Sequence, residues 1–398
     1  MSVLLVTGDF TTLGGMDRAN YELAWYLVDK LDVALSLVAY HVAEPLASHP
    51  NVIWRRVPKP LNSYRLGAGF LERMGHAEAR WIAKQGGHVV VNGGNCPWPD
   101  INWVHAVQAS WEQRLSHAPQ HVRIRQRFSR RRVLRHERLA LGAARVVITN
   151  SQRTGFEITQ NYGVPPERVH TVYLGADPEL FHPPSPAEKL AAGHKLGWPA
   201  NTLTAIFVGA LGYDRNKGFD ILFETWKELC ADPAWDVDLV AAGGGGEVAH
   251  WRDRAQKLGL DRCIRMMGFT HDVPLLLRAA DLLIHPSFYE AYGLSAHEAL
   301  CAGVPAMVAR SAGIAERFPA DLSDLLLDHP PSVRELAERL RRWRADHESW
   351  PSRIQKFSAQ LRHRTWGDMA REFVELTMPS VLERDAAARA KSPTLTIS

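Results

Sequence analysis

The sequence predicts an α/β protein with two doubly wound domains in tandem, and three observations lead to this fold class. Short runs rich in Val, Ile and Leu alternate with helix-sized segments along most of the 398 residues. A proline-rich segment of different composition divides these runs into two series. At roughly 150 residues per domain, a chain of this length is expected to form two or three domains.

The first series forms a predicted domain over residues 1–175. It begins with the apolar run Val3–Thr7, and a helical stretch follows at Arg18–Lys30. The other strand-like runs of this series are Val33–Ala39, Val52–Val57, His88–Val91, Trp103–Ala106, Val146–Thr149 and Val169–Tyr173. Because helical patterns lie between several of them, the runs predict parallel strands covered by helices.

The second series forms a predicted domain over residues 201–365, after a linker at residues 176–200 that is rich in proline. Its apolar runs are Thr204–Gly209, Asp238–Ala242, Ile264–Gly268, Leu282–Pro286, Pro305–Ala309 and Leu325–Leu327. The pattern becomes helical over Ser332–Glu383, and we expect a helix at residues 366–385 to complete the first domain. The tail at residues 386–398 is rich in Ala, Ser and Thr and is predicted to be disordered.

Composition excludes several classes of protein. No run approaches the ~18 uninterrupted apolar residues of a membrane span, and the N-terminal sequence shows no basic leader or cleavage site. The four cysteines are far apart in sequence and have no CxxC spacing, so neither a zinc site nor a disulfide framework is expected. These features predict a cytoplasmic protein.

Positive charge is concentrated in one segment of the first domain. The whole chain carries a net charge of +4, but the stretch from Arg114 to Arg145 contains ten arginines and one acidic residue, Glu137. A solvated helical face is the ordinary interpretation of such a run. Its density also fits contact between Arg123–Arg138 and an anionic membrane, which would place the protein at the inner face of that membrane. No nucleic-acid recognition motif accompanies it, and nucleic acid is not expected as a partner.

The segment from His285 to Pro305 carries the strongest functional signal. A buried strand ends at Pro286, and a helix is predicted to start near Tyr292 and to stop at Gly303. The N–H groups at the start of this helix form a potential diphosphate site. Glu298 lies about six residues further on, roughly 9 Å along the helix, where it could meet the ribose of the same ligand.

This segment resembles the retaining nucleotide-sugar glycosyltransferases of family 4. Glu290 and Glu298 stand within a PSxYExxGLxxxEAxxxGVP-like pattern. Further matches are Phe207-Val-Gly-Ala-Leu, Lys217-Gly-Phe-Asp, Ala242-Gly-Gly-Gly-Gly-Glu247, Met267-Gly-Phe-Thr, Ala280-Asp-Leu-Leu and, in the first domain, Gly14-Gly15, His105, Ser151 and Gly175-Ala-Asp-Pro-Glu-Leu-Phe-His-Pro. The resemblance implies the GT-B fold, in which two Rossmann-like domains face each other across a cleft.

The resemblance also implies roles for individual residues. Glu298 would hold the ribose of the donor, Glu290 would bind the donor sugar, and Lys217 would neutralise the diphosphate leaving group. His105 would reach the donor sugar from the first domain. The remaining implied donor contacts are the loop at Gly14 and Gly15, the positions Gly268 and Phe269, and the amides of Ala291, Tyr292, Gly293 and Leu294.

One position departs from the family pattern. Ala210 stands where the family usually has a phosphate-binding arginine, and we expect Arg215, in the loop before Lys217, to supply that charge. The implied donor is a nucleoside-diphosphate sugar, with UDP as the expected nucleotide, and neither a metal nor another cofactor is required. Asp236-Val-Asp238 resembles a metal-binding DxD motif, but it lies at the start of a strand, where a solvated strand entry is the ordinary outcome.

The predicted function is retaining transfer of a hexose to a hydroxyl of a saccharide or lipid-linked acceptor, as in the synthesis of cell-surface polysaccharides, glycolipids or glycoconjugates. Trp98, Trp103 and Trp111 could stack on an acceptor sugar, or they could simply pack in the core. Two other functions remain open at this point. One is a phosphorylase or epimerase on the same fold. The other is a non-catalytic partner subunit that binds a sugar nucleotide, and Ala210, which replaces the usual phosphate-binding arginine, keeps this alternative open.

Overall fold

The computed structural model describes residues 2–12, 14–199 and 202–384. Contacts between Cα atoms divide these residues into two compact units. The first unit contains the described residues of 2–109, 128–175 and 366–384, and the second contains those of 110–127 and 176–365. The tail that was predicted to be disordered lies outside the described residues.

The first unit contains a sheet of seven parallel strands. These strands are β1 (Ser2–Val6), β3 (Ala34–Ala39), β5 (Val52–Arg56), β6 (His88–Asn92), β7 (Ile101–Val104), β8 (Val146–Thr149) and β9 (Val169–Thr171). The strand order is β5-β3-β1-β6-β7-β8-β9, so the direction of winding reverses between β1 and β6. Two further short strands, β2 (Asp9–Phe10) and β4 (His41–Val42), form a separate parallel pair.

Helices cover this sheet because its central strands are apolar on both faces. Val3 to Val6 of β1 and Val89 to Val91 of β6 are almost fully buried, as expected for a parallel sheet. The helices of this part of the chain are α1 (Met16–Asp29), α2 (Tyr64–Lys84), α3 (Gln120–Ala143) and α4 (Gln152–Tyr162). The C-terminal helix α12 (Trp366–Thr377) packs on the same unit, where Phe373 lies 4.8 Å from the ring of Trp103.

The second unit contains a sheet of six parallel strands. Its strands are β10 (Leu203–Val208), β11 (Val237–Ala242), β12 (Ile264–Gly268), β13 (Leu282–His285), β14 (Ala306–Ala309) and β15 (Leu326–Leu327). The strand order is β12-β11-β10-β13-β14-β15. The winding therefore reverses between β10 and β13, and in open α/β sheets ligands bind at the carboxyl ends of the strands that flank such a reversal.

The helices of the second unit lie between its strands and after them. They are α5 (Pro186–Leu196), α6 (Phe219–Leu229), α7 (Val248–Lys257), α8 (Val273–Ala279), α9 (Leu294–Cys301), α10 (Val333–Ala345) and α11 (Trp350–Arg362). Both units thus confirm the predicted α/β class with parallel sheets.

Each strand-like run of the sequence corresponds to a strand of the structure within two residues, but three elements were not predicted. The pair β2 and β4 is too short to show a pattern. Helix α5 lies within the segment predicted as a linker, where Ser185 and Glu188 form a capping box and Pro186 occupies the first turn. Proline marks a break in a chain, yet at this position it also starts a helix.

Two cysteines that are far apart in sequence meet in the fold. Cys230 follows the end of α6 and Cys263 precedes β12, and their sulfur atoms are 2.8 Å apart. Both residues are partly exposed, whereas Cys96 and Cys301 are buried. The sequence spacing gave no sign of this pair because 32 residues separate its members.

This proximity can be tested by cross-linking. Oxidised glutathione should convert Cys230 and Cys263 to an intramolecular disulfide, since one thiolate attacks the reagent and the second displaces the mixed disulfide, releasing two glutathione thiols. Intact mass should fall by two hydrogens, and peptide mapping should link the two cysteines. Stable glutathione adducts at both positions, with no internal link, would contradict this packing. Cys230→Ser serves as the control that cannot form the link.

Candidate functional site

The candidate site of the second unit lies at the carboxyl ends of β10 and β13. These strands are neighbours in the sheet, with Ala205 opposite Leu282 and Ile206 opposite Leu283. A Cβ atom on Gly209, the residue after β10, would lie 3.5 Å from Nε2 of His285, the last residue of β13. The loops that follow the two strands carry Lys217 and Glu290, so the topology brings these residues to one place.

A close backbone approach fixes the loop of Lys217. Gly218 has φ +71° and precedes α6, and a Cβ atom at this position would lie only 1.9 Å from the carbonyl oxygen of Pro286. Only glycine combines this backbone conformation with this contact. Next to Gly218, Nζ of Lys217 lies 2.6 Å from Oε2 of Glu290. The sequence-predicted Lys217 and Glu290 are therefore joined in one ion pair.

The ion pair keeps Glu290 charged although this carboxylate is largely buried. Burial alone would raise the pKa of Glu290, but the charge of Lys217, the hydrogen bond from Lys217 and the N–H of Tyr292 together hold it below its ordinary value. Lys217 has three donors, and Glu290 uses one of them. The pair therefore places a carboxylate and a partly exposed ammonium donor side by side.

Three further polar groups surround this pair, and the sequence analysis did not assign them a role. Both ring nitrogens of His285, the hydroxyl of Ser287 and the amide oxygen of Asn216 are buried without a hydrogen-bond partner among the described residues. Nδ1 of His285 lies 3.6 Å from Oε2 of Glu290, too far for a hydrogen bond. Burial lowers the pKa of His285 to about 4, so its imidazole is neutral at pH 7.

Buried polar groups in folded proteins nearly always have a partner, so three unsatisfied groups around one ion pair indicate a place where a ligand or water binds. His285 and Ser287 lie inside the motif of Glu290 and could have been found by asking which side chains follow the end of a buried strand. Asn216 could not, because its role depends on the fold of the loop before Lys217, where its side chain donates to the carbonyl oxygen of Tyr289 at 2.8 Å.

Helix α9 begins at Leu294, two residues later than predicted, because Gly293 with φ +106° ends the preceding loop. The carbonyl groups of Glu290 and Tyr292 accept hydrogen bonds from Gly313 and Ile314. The phenol of Tyr292 lies 2.6 Å from Nδ1 of the buried His297, so this side chain packs in the core, and the backbone N–H of Tyr292 is already bonded to Glu290. Ala291 and Gly293 are also buried.

The remaining predicted donor contacts of this unit lie on the neighbouring elements. Glu298 is on α9 and is partly exposed. Gly268 is the last residue of β12 and has φ +78°. The residues before it in β12 pair with strand β11. Phe269, the next residue, exposes 67% of its surface. An exposed aromatic ring at the carboxyl edge of a sheet can stack on a planar ligand group.

The structure gives Arg215 a partner other than a ligand. Its guanidinium donates to both carboxylate oxygens of the buried Glu247, at 2.8 and 2.9 Å, and lies over the ring of Trp251. The charge of Arg215 is thus largely balanced within the protein. Ala210, where the family usually has an arginine, is exposed directly after β10.

The first unit carries its predicted residues at the corresponding edge of its own sheet. Gly14, with φ +80°, and Gly15 lie in the loop before α1. His105 follows the carboxyl end of β7, and burial lowers its pKa to about 3, which leaves a neutral imidazole. Both of its ring nitrogens are buried and have no hydrogen-bond partner in the described part of the chain. They remain available to a hydroxyl group.

Two other sequence candidates have structural explanations. Trp103 is fully buried between His105 and Phe373, so it packs in the core and cannot stack on a sugar. The carboxylates of Asp236 and Asp238 are bound by Arg344 and Arg265. Over residues 2–12, 14–199 and 202–384, no three His, Cys, Asp or Glu side chains are grouped as metal ligands would be.

Most of the basic segment lies in one helix, α3, which begins after Arg114, ends before Arg145 and also exposes apolar side chains. Within its later part, Phe128 exposes 75%, Val133 41% and Leu139 51% of their surfaces, and arginines 130–132 lie between them. None of the helices described is both long enough and apolar enough for a membrane span.

Comparison with known protein families accounts for most of the chain. The family described as "Glycosyltransferase Family 4" matches residues 13–180, and the family described as "Glycosyl transferases group 1" matches residues 191–360. A D-inositol 3-phosphate glycosyltransferase of Corynebacterium aurimucosum is 28% identical over 227 residues, which are 55% of this chain and 52% of that protein. Another, from Catenulispora acidiphila, is 33% identical over 183 residues, 44% of this chain and 42% of the relative. The chain thus spans about half the length of the curated relatives it matches.

Solved structures share the fold over nearly the whole chain. WaaG, a glycosyltransferase involved in lipopolysaccharide biosynthesis, matches with a TM-score of 0.75 and 18% identity, covering 95% of this chain and 100% of WaaG. Anabaena HepE in complex with UDP and glucose matches with a TM-score of 0.68 and 19% identity over 94% of this chain and 99% of HepE.

Both halves of the chain therefore match glycosyltransferase families, and the two parallel sheets have the architecture of solved glycosyltransferases. The family 4 match falls on the first sheet, and the group 1 match falls on the sheet that carries Lys217 and Glu290. Both matches agree with the resemblance found in the sequence. The chain is a glycosyltransferase of the GT-B fold and belongs to family 4.

Proposed function

We propose that the chain transfers a hexose from a nucleoside-diphosphate sugar to a hydroxyl of a saccharide or lipid-linked acceptor and retains the anomeric configuration. The observation that carries this proposal is the Lys217–Glu290 ion pair, surrounded by the unsatisfied groups of His285, Ser287 and Asn216 at the switch point of the second sheet. A ligand with a phosphate, an oxygen-rich ring and hydroxyl groups would satisfy all of them.

The donor is proposed to lie along the carboxyl edge of the second sheet. Glu298 would accept hydrogen bonds from the ribose, and the exposed ring of Phe269, next to Gly268, would stack on the base. The amides at the start of α9 would hold the diphosphate. UDP is the proposed nucleotide because the solved complex of HepE contains it, and the UDP-glucose complex of the same protein supports a hexose.

Lys217 is proposed to stabilise the leaving group. As the bond between the sugar and the diphosphate breaks, negative charge grows on the phosphate oxygen, and a fixed ammonium in a water-poor site stabilises that charge more than the ground state. The neutral His285 beside Glu290 would complete the hydrogen bonding around the sugar.

The first unit is proposed to present the acceptor and to contact the donor through His105 and the loop of Gly14 and Gly15. A neutral histidine with both nitrogens unsatisfied can accept one hydroxyl hydrogen bond and donate another. Retention would follow from attack on the same face as the leaving group, with the departing phosphate oxygen taking the proton of the acceptor hydroxyl. Exclusion of water from the reacting groups would protect the donor from hydrolysis.

The proposed acceptor hydroxyl belongs to a polyol or saccharide. The relatives named D-inositol 3-phosphate glycosyltransferase make a phosphorylated polyol a specific candidate. The protein is proposed to act in the cytoplasm in the synthesis of glycoconjugates or polysaccharides, with α3 as a contact to the inner face of a membrane.

The two glutamates should separate donor binding from catalysis. Glu298→Ala should weaken UDP binding by ~1–3 kcal/mol through lost charged hydrogen bonds, measured by calorimetry. Glu290→Gln should leave UDP affinity nearly unchanged and lower kcat for transfer, because Glu290 faces the sugar. Glu338→Ala, an exposed helical glutamate of the same unit, is the matched control. The opposite pattern, lost UDP affinity in Glu290→Gln alone, would show that the two roles are reversed.

The source of positive charge at the diphosphate can be tested with three variants. Arg215 can bind the diphosphate only if its ion pair with Glu247 breaks. The double variant Arg215→Ala/Glu247→Ala removes both charges together, and we expect it to keep most of its UDP affinity. Lys217→Ala should lose at least about tenfold, equivalent to ~1.4 kcal/mol. Ala210→Arg should strengthen UDP binding by adding a donor at an exposed position. A tenfold loss in the double variant would instead assign the missing arginine's role to Arg215.

The membrane contact of α3 can be tested with vesicles. Charge reversal of Arg130, Arg131 and Arg132 to Glu should release the protein from anionic vesicles in a sedimentation assay, since each basic residue near an anionic surface contributes ~1 kcal/mol. Phe128→Ser should weaken binding without changing charge, because an apolar side chain among arginines enters the lipid interface. UDP affinity should not change. Equal sedimentation of the unmodified protein and the two variants would show that α3 is a solvated helix without a membrane contact.

A further inference from the structure

Hydrogen bonds hold the backbone around His105, whereas the ring nitrogens of this residue make none within the described ranges of the chain. The carbonyl oxygen of His105 accepts a hydrogen bond from Nδ2 of Asn150 at 3.3 Å. Further along the chain, the N–H of Gln108 donates to both carboxylate oxygens of Glu137, at 3.1 and 3.0 Å. The fold therefore fixes the chain on either side of the imidazole and leaves the buried imidazole nitrogens to bind another group.

Glu137 is a buried carboxyl group that several donors surround. It lies on α3 and exposes only 2% of its surface. Besides Gln108, the hydroxyl of Tyr162 and the N–H of Ala109 donate to it. Burial raises the pKa of Glu137, and the hydrogen bonds from Tyr162, Gln108 and Ala109, together with the charge of Arg130, act in the opposite direction. A buried carboxylate is costly without donors, and two successive N–H groups of the chain after β7 provide them.

The two side chains that hold this segment are themselves held by other elements of the first unit. A Cβ atom on Gly94, in the turn after β6, would lie 3.0 Å from the backbone nitrogen of Glu137, so this turn packs directly on the backbone of α3. Asn150 follows β8 and is buried, and its amide oxygen accepts a hydrogen bond from the hydroxyl of Thr154 on α4 at 3.2 Å. Neither side chain can therefore follow a displacement of the chain at His105 without breaking other contacts.

The ring of His105 depends on this support because its other neighbour gives it no hydrogen-bond direction. The fully buried Trp103 packs against it, with 4.5 Å between the ring centroids. A hydrogen bond from an imidazole weakens steeply as its angle departs from linearity. A shift of the backbone over residues 105–109 would therefore weaken any hydrogen bond that the ring makes to a ligand, although the ring itself would stay in place as a buried side chain.

We propose that Glu137 is a positioning residue for His105. Its carboxylate accepts the successive N–H groups of Gln108 and Ala109 and so holds the chain after His105, while Asn150 holds the carbonyl of His105 itself. Together they set the direction in which the imidazole meets the donor sugar. Glu137 contacts backbone and not the reacting groups, so it acts through His105 alone. The inference rests on the proposed function, in which His105 contacts the donor sugar, and adds a residue that no sequence motif pointed to.

Calorimetry on the full chain with UDP and UDP-glucose as probes tests this role, because only UDP-glucose carries the sugar. Glu137→Gln keeps the size of the side chain but turns an NH₂ donor toward backbone N–H groups. It should weaken UDP-glucose by about three- to tenfold, the value of one hydrogen bond, and leave UDP unchanged. His105→Ala should give a similar loss, and the double variant should lose no more than His105→Ala alone. A residue that only stabilised the fold would lower Tm and leave the ratio of the two affinities unchanged.

Two further variants serve as control and as second test. Glu78→Gln is the matched control, because Glu78 is a carboxylate of the same unit that accepts from Ser36 at 3.1 Å and lies 3.5 Å from Arg55. It should change neither affinity. Asn150→Ala removes the donor to the carbonyl of His105 and should weaken UDP-glucose in the same way as Glu137→Gln. It tests the support of His105 even if Glu137→Gln does not fold, which circular dichroism would show.

The outcomes separate this inference from the proposed function. A loss of UDP-glucose affinity in His105→Ala, with none in Glu137→Gln or Asn150→Ala, would overturn the inference alone. So would a further loss when Glu137→Gln is added to His105→Ala, because Glu137 would then act on something other than the imidazole. If the protein binds no UDP, or if His105→Ala leaves UDP-glucose affinity unchanged, the proposed function is contradicted at the donor or at the His105 contact, and the inference fails with it.

Discussion

The close approach of two backbones at the end of a parallel sheet determines the chemistry of the second unit. A Cβ atom on Gly218 would meet the carbonyl oxygen of Pro286 at 1.9 Å, so the loop before α6 can rest on the loop after β13 only because residue 218 is glycine. This contact brings Lys217 to Glu290. The parallel topology requires both loops to leave the sheet at the same edge, and the glycine makes the remaining distance short enough for an ion pair.

The ion pair in turn explains why the surrounding polar groups can stay buried. A lone carboxylate in this position would be neutralised by proton uptake, because burial raises its pKa. With Lys217 in place Glu290 remains charged, and the neutral His285 can lie next to it without taking up a second proton. A site built in this way is ready for its ligand before the ligand arrives, since the charges and donors that stabilise a leaving diphosphate need little rearrangement.

The sequence predicted the architecture and named Lys217 and Glu290, although not as an ion pair, and what it missed has physical causes. Buried parallel strands are continuous apolar runs and are easy to recognise, and Lys217, Glu290 and Glu298 stand in motifs that follow such runs. Asn216 and the cysteine pair depend on contacts between residues that are distant in sequence, so no local pattern reveals them. The pair of Arg215 with Glu247 was missed for the same reason, and α5 was missed because a proline at a helix start resembles a proline in a linker.

The carboxyl edges of the two parallel sheets carry different polar groups. In the second unit, the carboxyl edge joins one cation to one carboxylate, and the sum is nearly neutral before a diphosphate binds. In the first unit, the corresponding edge carries the neutral His105, whose two buried ring nitrogens have no partner among the described residues. Buried polar atoms without a partner are costly unless a ligand or water binds to them. This cost is the physical reason to propose that His105 contacts a hydroxyl group of the sugar, since a neutral imidazole can accept one hydrogen bond and donate another.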